Sequence, residues 1–366
     1  MPTTRYTVAR TDLKDIRAEA QDSPALAPGQ VRLRVDRFAL TANNITYAAF
    51  GDAMHYWEFF PCDDPRRGCI PVWGYADVTE SLVDGIAPGE RFYGFWPMAQ
   101  EVTVTPVRVG PGGFIDGAPH RRELAGVYNQ VVRCSADPLY RPELEAQAAL
   151  LRPLFTTAFL IDDFLADAGW FGASAVWLSS ASSKTAAATA FCLARRRGTA
   201  TAVKVCGLTS GANATHCRSL GVYDEVGSYD EASAIDTGER VVYVDFSGSA
   251  ALRSAIHTRL ADRLAYSCAV GGTHWDELGG GHDLPGPRPV LFFAPAQVKR
   301  RVAEWGEAGF GRRLAEAWQA FLEPVTDPVA PWVRVVTGAG EEAVTATYRD
   351  LLAGRRPAVE GHVLTP

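Results

Sequence analysis

Residues 179–183 read Ser-Ser-Ala-Ser-Ser and run directly into Lys184 and Thr185. Small residues let a backbone approach a phosphate closely, and a strand, tight loop and helix in succession aim backbone N–H groups at a bound anion. The apolar run Ala175–Leu178 supplies the strand, and Lys184 to Arg197, stopped by Gly198, supplies the helix. Ser180, Ala181, Ser182 and Ser183 are therefore candidate pyrophosphate contacts, with Lys184 adding a charge and Thr185 a hydroxyl. The loop lacks the G-x-G-x-x-G pattern, so three readings stay open: a dinucleotide loop, a serine-rich helix cap, and a nucleoside triphosphate P-loop with phosphotransferase chemistry. The last is weakened because Leu178 and Ser183 stand where G-x-x-x-x-G-K-[ST] has glycine. Serine at the second site would strain a backbone that often needs positive φ.

The next strand ends in Gly207-Leu208-Thr209-Ser210, with no Asp or Glu to hold the ribose hydroxyls of NAD. Thr209, Ser210 and Asn213 are small polar groups that tolerate a 2′-phosphate, and Lys184 or Arg218 can act as counter-charge. NADP(H) is the expected cofactor.

The elements around this loop set the fold class. Up to residue 150, alternating runs such as Val31-Arg32-Leu33-Arg34-Val35 and Val102-Thr103-Val104 are separated by turns at Ala87-Pro88-Gly89-Glu90 and Gly110-Pro111-Gly112-Gly113, the pattern of a compact β domain. From Leu151 the pattern changes. Strands are expected at Val203–Leu208, Val241–Val244, Leu264–Val270 and Val290–Phe293, with helices at Asn213–Leu220 and Ala250–Leu260, which is the β/α alternation of a doubly wound parallel sheet. Helices at Val298–Trp305 and Arg312–Phe321 follow, and Lys299, Arg300, Arg301, Arg312 and Arg313 read as a solvated face.

Composition bounds the function. The 366 residues carry 36 Lys+Arg against 42 Asp+Glu, a formal charge of −6, which gives no electrostatic reason to expect nucleic acid or an anionic membrane as partner. Apolar residues at 47% and charged residues at 21% describe an ordinary globular chain. Met1–Asp15 has no apolar core of a secretory signal, and no run approaches the roughly 20 apolar residues of a membrane span. The seven cysteines are odd in number and contain no C-x-x-C, so reduced thiols and a cytoplasmic setting are expected.

In order, several segments resemble the zinc-independent medium-chain dehydrogenase/reductase family, which includes quinone oxidoreductases and enoyl reductases. Pro71-Val72-Trp73-Gly74-Tyr75-Ala76-Asp77-Val78 is similar to the family's P-G-x-E-x-A-G-x-V strand, and Ile86 to Gly94 to its V-x-x-G-D-R-V-x-G turn. Leu154 to Phe159 resembles the helix entering the cofactor domain, Leu220 to Asp224 the L-G-A-x-x segment, and Asp245-Phe246-Ser247-Gly248 the D-x-x-G after the fourth strand. The resemblance implies a GroES-like β domain from 1–150 and 300–366 around a Rossmann dinucleotide-binding domain at 151–299, with Trp332–Val336, Thr345–Leu352 and Gly361–Leu364 completing the β domain. It adds Ser247, Gly248 and Gly271 to the cofactor contacts, and a small-molecule substrate as partner, with homodimerisation left open.

The resemblance also places Asn44 and Tyr47 in the segment facing the cofactor, and His274 beside the nicotinamide. Where relatives hold zinc, this chain has Asn44 and Trp73-Gly74-Tyr75, so no four-ligand site can be assembled there; His55, Cys62 and Cys69 lack a fourth partner. Without a metal, hydride transfer to a carbonyl or activated alkene needs a donor for the developing oxyanion and a proton source. Tyr47, Asn44, Tyr56 and His274 are the candidates, against the plainer reading that the aromatics around His55–Phe60 only pack the domain. The expected activity is NADP(H)-dependent, metal-independent reduction of a small or medium apolar substrate; a nucleotide-binding protein without dehydrogenase activity is the alternative.

Overall fold

The computed structural model describes residues 3–230, 238–270 and 284–366. The chain divides into two compact units, one built from Met1–Arg152 and Val333–Pro366, the other from Pro153–Trp332.

The first unit holds β1 (Thr3–Ala9), β2 (Asp12–Gln21), β3 (Val31–Leu40), α1 (Ala42–Ala49), β4 (Arg67–Gly68), β5 (Pro71–Ser81), β6 (Arg91–Pro97), β7 (Glu101–Val104), β8 (Pro106–Gly110), β9 (Gly113–Asp116) and β10 (Gln130–Arg133). The boundary between units falls at Pro153 within α2 (Glu145–Asp167). The second unit continues with β11 (Ala175–Leu178), α3 (Lys184–Ala194), β12 (Lys204–Thr209), α4 (Gly211–Ser219), β13 (Glu225–Ser228), β14 (Val241–Asp245), α5 (Ala250–Leu260), β15 (Leu264–Ala269), β16 (Val290–Leu291) and α6 (Ala294–Val325). The chain then returns to the first unit with β17 (Arg334–Ala339), α7 (Gly340–Leu352) and β18 (Glu360–Thr365).

In the first unit the largest sheet runs β17-β18-β3-β5-β6-β10-β9-β8, with β7 also pairing with β3. Strand β3 shows why the sequence folds this way: Val31, Leu33 and Val35 are buried, while Arg32 and Arg34 point outward to Glu80 and Asp77. The C-terminal β18 lies antiparallel on β3, pairing Val363 with Ala39.

In the second unit six parallel strands run β13-β12-β11-β14-β15-β16. Counted from β11, that is the order 3-2-1-4-5-6 of doubly wound dinucleotide-binding sheets. Both faces are covered: Val176, Leu178, Val205, Val242 and Val244 pack into one core cluster, and Ala175, Trp177, Cys206, Leu208 and Tyr243 into another. This is why the strands read as unbroken apolar runs rather than alternating ones.

Two features differ from expectation. Val298–Trp305 and Arg312–Phe321 form the two expected helical stretches within α6, separated by a kink where Gly306 takes φ 71° and ψ 160°, but their place in the fold is different. Phe321 stacks on Phe155 at 4.8 Å and Trp318 packs tilted against it at 5.3 Å, so residues 300–332 pack in the second unit rather than with the β domain. Arg301 is not solvated: it is buried against Asp163 and Asp167, at 2.5 and 2.9 Å. Ahead of β11, Gly169 to Gly172 all take positive φ, a left-handed turn that strains Trp170 and Phe171. It buries Trp170 and stacks Phe171 on Tyr266 at 4.0 Å, and that packing offsets the strain.

Candidate functional site

The serine loop leaves β11 through Ser179, which is fully buried. Its hydroxyl donates to Asp245 Oδ1 at 2.8 Å and accepts the N–H groups of Phe246 and Ser247 at 2.9 and 3.1 Å. The loop after β11 is thereby tied to the loop after β14. Asp245 Oδ1 also accepts from the Ser247 hydroxyl and the Gly248 N–H, at 2.8 and 3.1 Å, while Oδ2 takes a bond from buried Arg253 at 3.1 Å. Ser247 and Gly248, expected at the cofactor, thus also build the turn that holds Asp245.

Farther along, Ser180 takes φ 51° and donates its N–H to the Tyr229 hydroxyl at 3.1 Å. The left-handed residue is therefore Ser180 and not Ser183, whose φ is −71° and whose hydroxyl caps α3 by accepting from Ala186 N–H at 3.3 Å. Ala181 is pinned at both ends, its N–H donating to Leu208 O at 3.0 Å and its carbonyl accepting from Tyr223 at 2.7 Å. Gly207 makes this close approach possible, since a Cβ there would stand 2.9 Å from the Ala181 Cβ. Thr209 is buried and donates to the Ser182 hydroxyl at 3.2 Å, so its side chain serves the loop rather than the surface.

What remains for an anion is the start of α3. A helix leaves its first four N–H groups without intrahelical partners, and Ser183 takes one of them. Lys184 and Thr185 open that helix, Ser210 is exposed at the end of β12, and Asn213 is partly exposed on α4. His216, missed by the sequence reading, also lies here: burial lowers its pKa, and the charge of Lys184 lowers it further. No sequence spacing joins residues 184 and 216; packing alone brings them together.

In the first unit, α1 carries Asn44 and Tyr47 one turn apart, and therefore on one face. The Asn44 side chain is largely committed. Its Oδ1 accepts from the Thr41 N–H and hydroxyl at 2.8 and 3.1 Å, closing the helix start, and its Nδ2 donates to Pro71 O at 2.9 Å. Asn44 therefore anchors α1 to β5 and is only 4% exposed. Tyr47 is buried among Tyr56, Phe95 and Tyr128, with ring centroids at 4.4, 5.6 and 6.4 Å. Burial raises its pKa well above the ordinary tyrosine value, which keeps the hydroxyl protonated. Tyr56 is buried too, its pKa raised by burial, and its hydroxyl lies 3.2 Å from that of Tyr128. Tyr128 and Trp73 are the partly exposed members of this cluster, and neither was singled out as a site residue from sequence.

His274 and Gly271 lie outside the described residues. Among the described residues no group of three or more His, Cys, Asp and Glu could hold a metal ion, and no helix is long and apolar enough to cross a membrane.

Solved structures share the architecture. A putative NADPH:quinone reductase from Mesorhizobium loti is similar with a TM-score of 0.60 at 14% identity, covering 100% of this chain and 98% of that one. The yhdH oxidoreductase from Salmonella enterica, solved in complex with NADP, gives 0.54 at 14%, with 99% of each chain covered. The CurK enoyl reductase gives 0.56 at 14%, covering 100% and 98%. At such identities the likeness is one of fold: a GroES-like β unit with a Rossmann unit, the architecture of medium-chain dehydrogenases/reductases. No curated protein sequence matches. Residues 38–357 match the family described as protein of unknown function (DUF2855), and the chain belongs to that family.

Proposed function

We propose that the protein is an NADP(H)-dependent, metal-independent oxidoreductase that reduces a carbonyl or conjugated alkene of a small or medium apolar substrate. The observation that carries this reading is the 3-2-1-4-5-6 sheet, whose first strand delivers a small-residue loop to the start of α3 while the end of β12 bears no acid. Lys184, Ser210, Asn213 and His216 fit a 2′-phosphate, and the N-terminal amides of α3 fit a pyrophosphate. Bound NADPH supplies the hydride. Tyr47, kept neutral by burial, offers its O–H to the oxygen that gains charge, and Asn44 fixes the helix that carries it.

Titration calorimetry with both cofactors tests this reading. Charge-assisted hydrogen bonds of roughly 1.5–3 kcal/mol each predict NADPH binding at least about tenfold tighter than NADH. Equal affinities, or no binding, would refute it. One observation favours a second reading, a nucleotide-binding protein without turnover: the hydroxyls of Ser179, Ser182 and Ser183 are already engaged, by Asp245, Thr209 and the Ala186 N–H. Tight NADPH binding with no oxidation by 1,4-naphthoquinone or cyclohex-2-enone would select it.

A further inference from the structure

We infer that Trp73 is a second catalytic donor: its indole N–H and the Tyr47 hydroxyl together hold the substrate's carbonyl oxygen. This rests on the proposed oxidoreductase reading and adds to it a residue that no part of that reading uses.

The Asn44–Pro71 hydrogen bond clamps the start of α1 to the start of β5. Tyr47 lies three residues after Asn44 on the same helix face, and Trp73 two residues after Pro71 on the same strand face. One clamp thus brings the two side chains into a common cluster, where they share Phe95 and Tyr128 as ring neighbours. Tyr47 stands 5.6 and 6.4 Å from those rings, and Trp73 5.0 and 6.1 Å. The two side chains are close enough for Trp73 to affect the Tyr47 phenol, yet no hydrogen bond joins them.

The indole is partly exposed, yet its Nε1 is buried and has no hydrogen-bond partner among the described residues. Buried N–H groups are rarely left so, because their lost hydration is not recovered. The neighbouring Trp96 does find a partner, its Nε1 donating to Gly74 O at 3.0 Å. The Tyr75 and Tyr93 hydroxyls and the indole N–H groups of Trp177 and Trp318 are unpartnered as well, but those side chains are buried in the core, whereas Trp73 reaches the surface of the cluster. Asn44, the other donor expected beside Tyr47, is held by Thr41 and Pro71.

The chemistry suits a pair of neutral donors. A hydride brings its electron pair from NADPH to the electrophilic carbon, and the π pair of the acceptor moves onto the oxygen. Indole N–H and phenol O–H stabilise that oxygen without giving up a proton, and the proton that completes the product comes from solvent.

The test uses the full chain with saturating NADP⁺ and 4-nitrophenolate as a stable mimic of the oxyanion, with 4-nitroanisole as the uncharged control. Trp73→Phe is expected to weaken phenolate binding at least about tenfold. Nitroanisole affinity, NADP⁺ affinity and melting temperature should not change. Equal loss for both probes, unchanged phenolate binding, or no phenolate binding by the parent protein overturns the inference. Should Trp73→Phe melt early, nitrogen-15 spectra of the parent protein decide: one indole N–H resonance moves downfield with phenolate and not with nitroanisole, and the absence of any such shift overturns it. Failure of NADP⁺ to bind at all would instead refute the oxidoreductase reading.

Discussion

The serine loop of the second unit and the aromatic cluster of the first solve opposite problems. Around the loop, the hydroxyls of Ser179, Ser182, Ser183, Thr209 and Ser247 all find partners in the chain. In the cluster and on the strands beneath it, Trp73 Nε1 and the hydroxyls of Tyr75 and Tyr93 find none among the described residues; beneath the loop the same holds of Trp177 Nε1 and the Tyr243 hydroxyl, but those are sealed in the core. A saturated loop is a shaped scaffold, able to offer a ligand mainly its backbone amides. On the proposal above, the unmet indole N–H of the apolar cluster serves a polar atom of the substrate.

The largest effect that would break this contrast lies at its saturated end. Asp245 accepts from Ser179, Ser247, Gly248 and Arg253, and the Arg253–Asp245 pair is almost wholly buried, at 3% and 1% side-chain exposure. Asp245→Asn leaves Arg253 buried without its counter-charge and should lower stability by about 3–5 kcal/mol in denaturant titration. A loss under 1 kcal/mol would mean that the loop is not held by this network.

At the unsaturated end, Tyr47→Phe removes one donor without changing the packing. Turnover should fall about 10² to 10³, with NADPH affinity and melting temperature unchanged. Because burial raises the Tyr47 pKa, the hydroxyl stays protonated through neutral and mildly alkaline solution, and its contribution should not vary over that range. A rate that climbed as Tyr47 ionised would show a base in place of a donor.

The smallest effect tests strain in the loop. Ser180 holds a left-handed φ of 51°, a conformation glycine adopts freely. Ser180→Gly should therefore stabilise the protein by about 1 kcal/mol at most, the relieved strain being partly offset by the added freedom of the unfolded chain. A thermal melt that drops instead would show that the Ser180 side chain contributes more than its backbone costs.

Much of the scaffold was legible from sequence. Ala175–Leu178 and Ala250–Leu260 form their expected strand and helix with those bounds, because a strand covered on both faces must be apolar throughout and a helix follows its cap and periodicity. The alternation in Val31–Val35 likewise marks a strand with one buried face. The two helical stretches of α6 were legible as well, parted at Gly306, whose φ of 71° breaks a right-handed helix; their packing in the second unit was not legible. Nor was the burial of Arg301, whose carboxylate partners Asp163 and Asp167 lie on α2.

By itself the sequence determined several of the strands, where the small-residue loop stands, and that no acid follows β12. These are local matters of periodicity, residue size and charge. Only the tertiary structure decided which polar groups are still free to act. Asn44 is held by a carbonyl 27 residues away, Ser179 by a carboxylate 66 residues away, and Trp73 Nε1 is met by none of the described residues. A hydrogen bond forms wherever folding brings donor and acceptor within about 3 Å, and for partners so far apart in the chain no spacing in the sequence carries that distance.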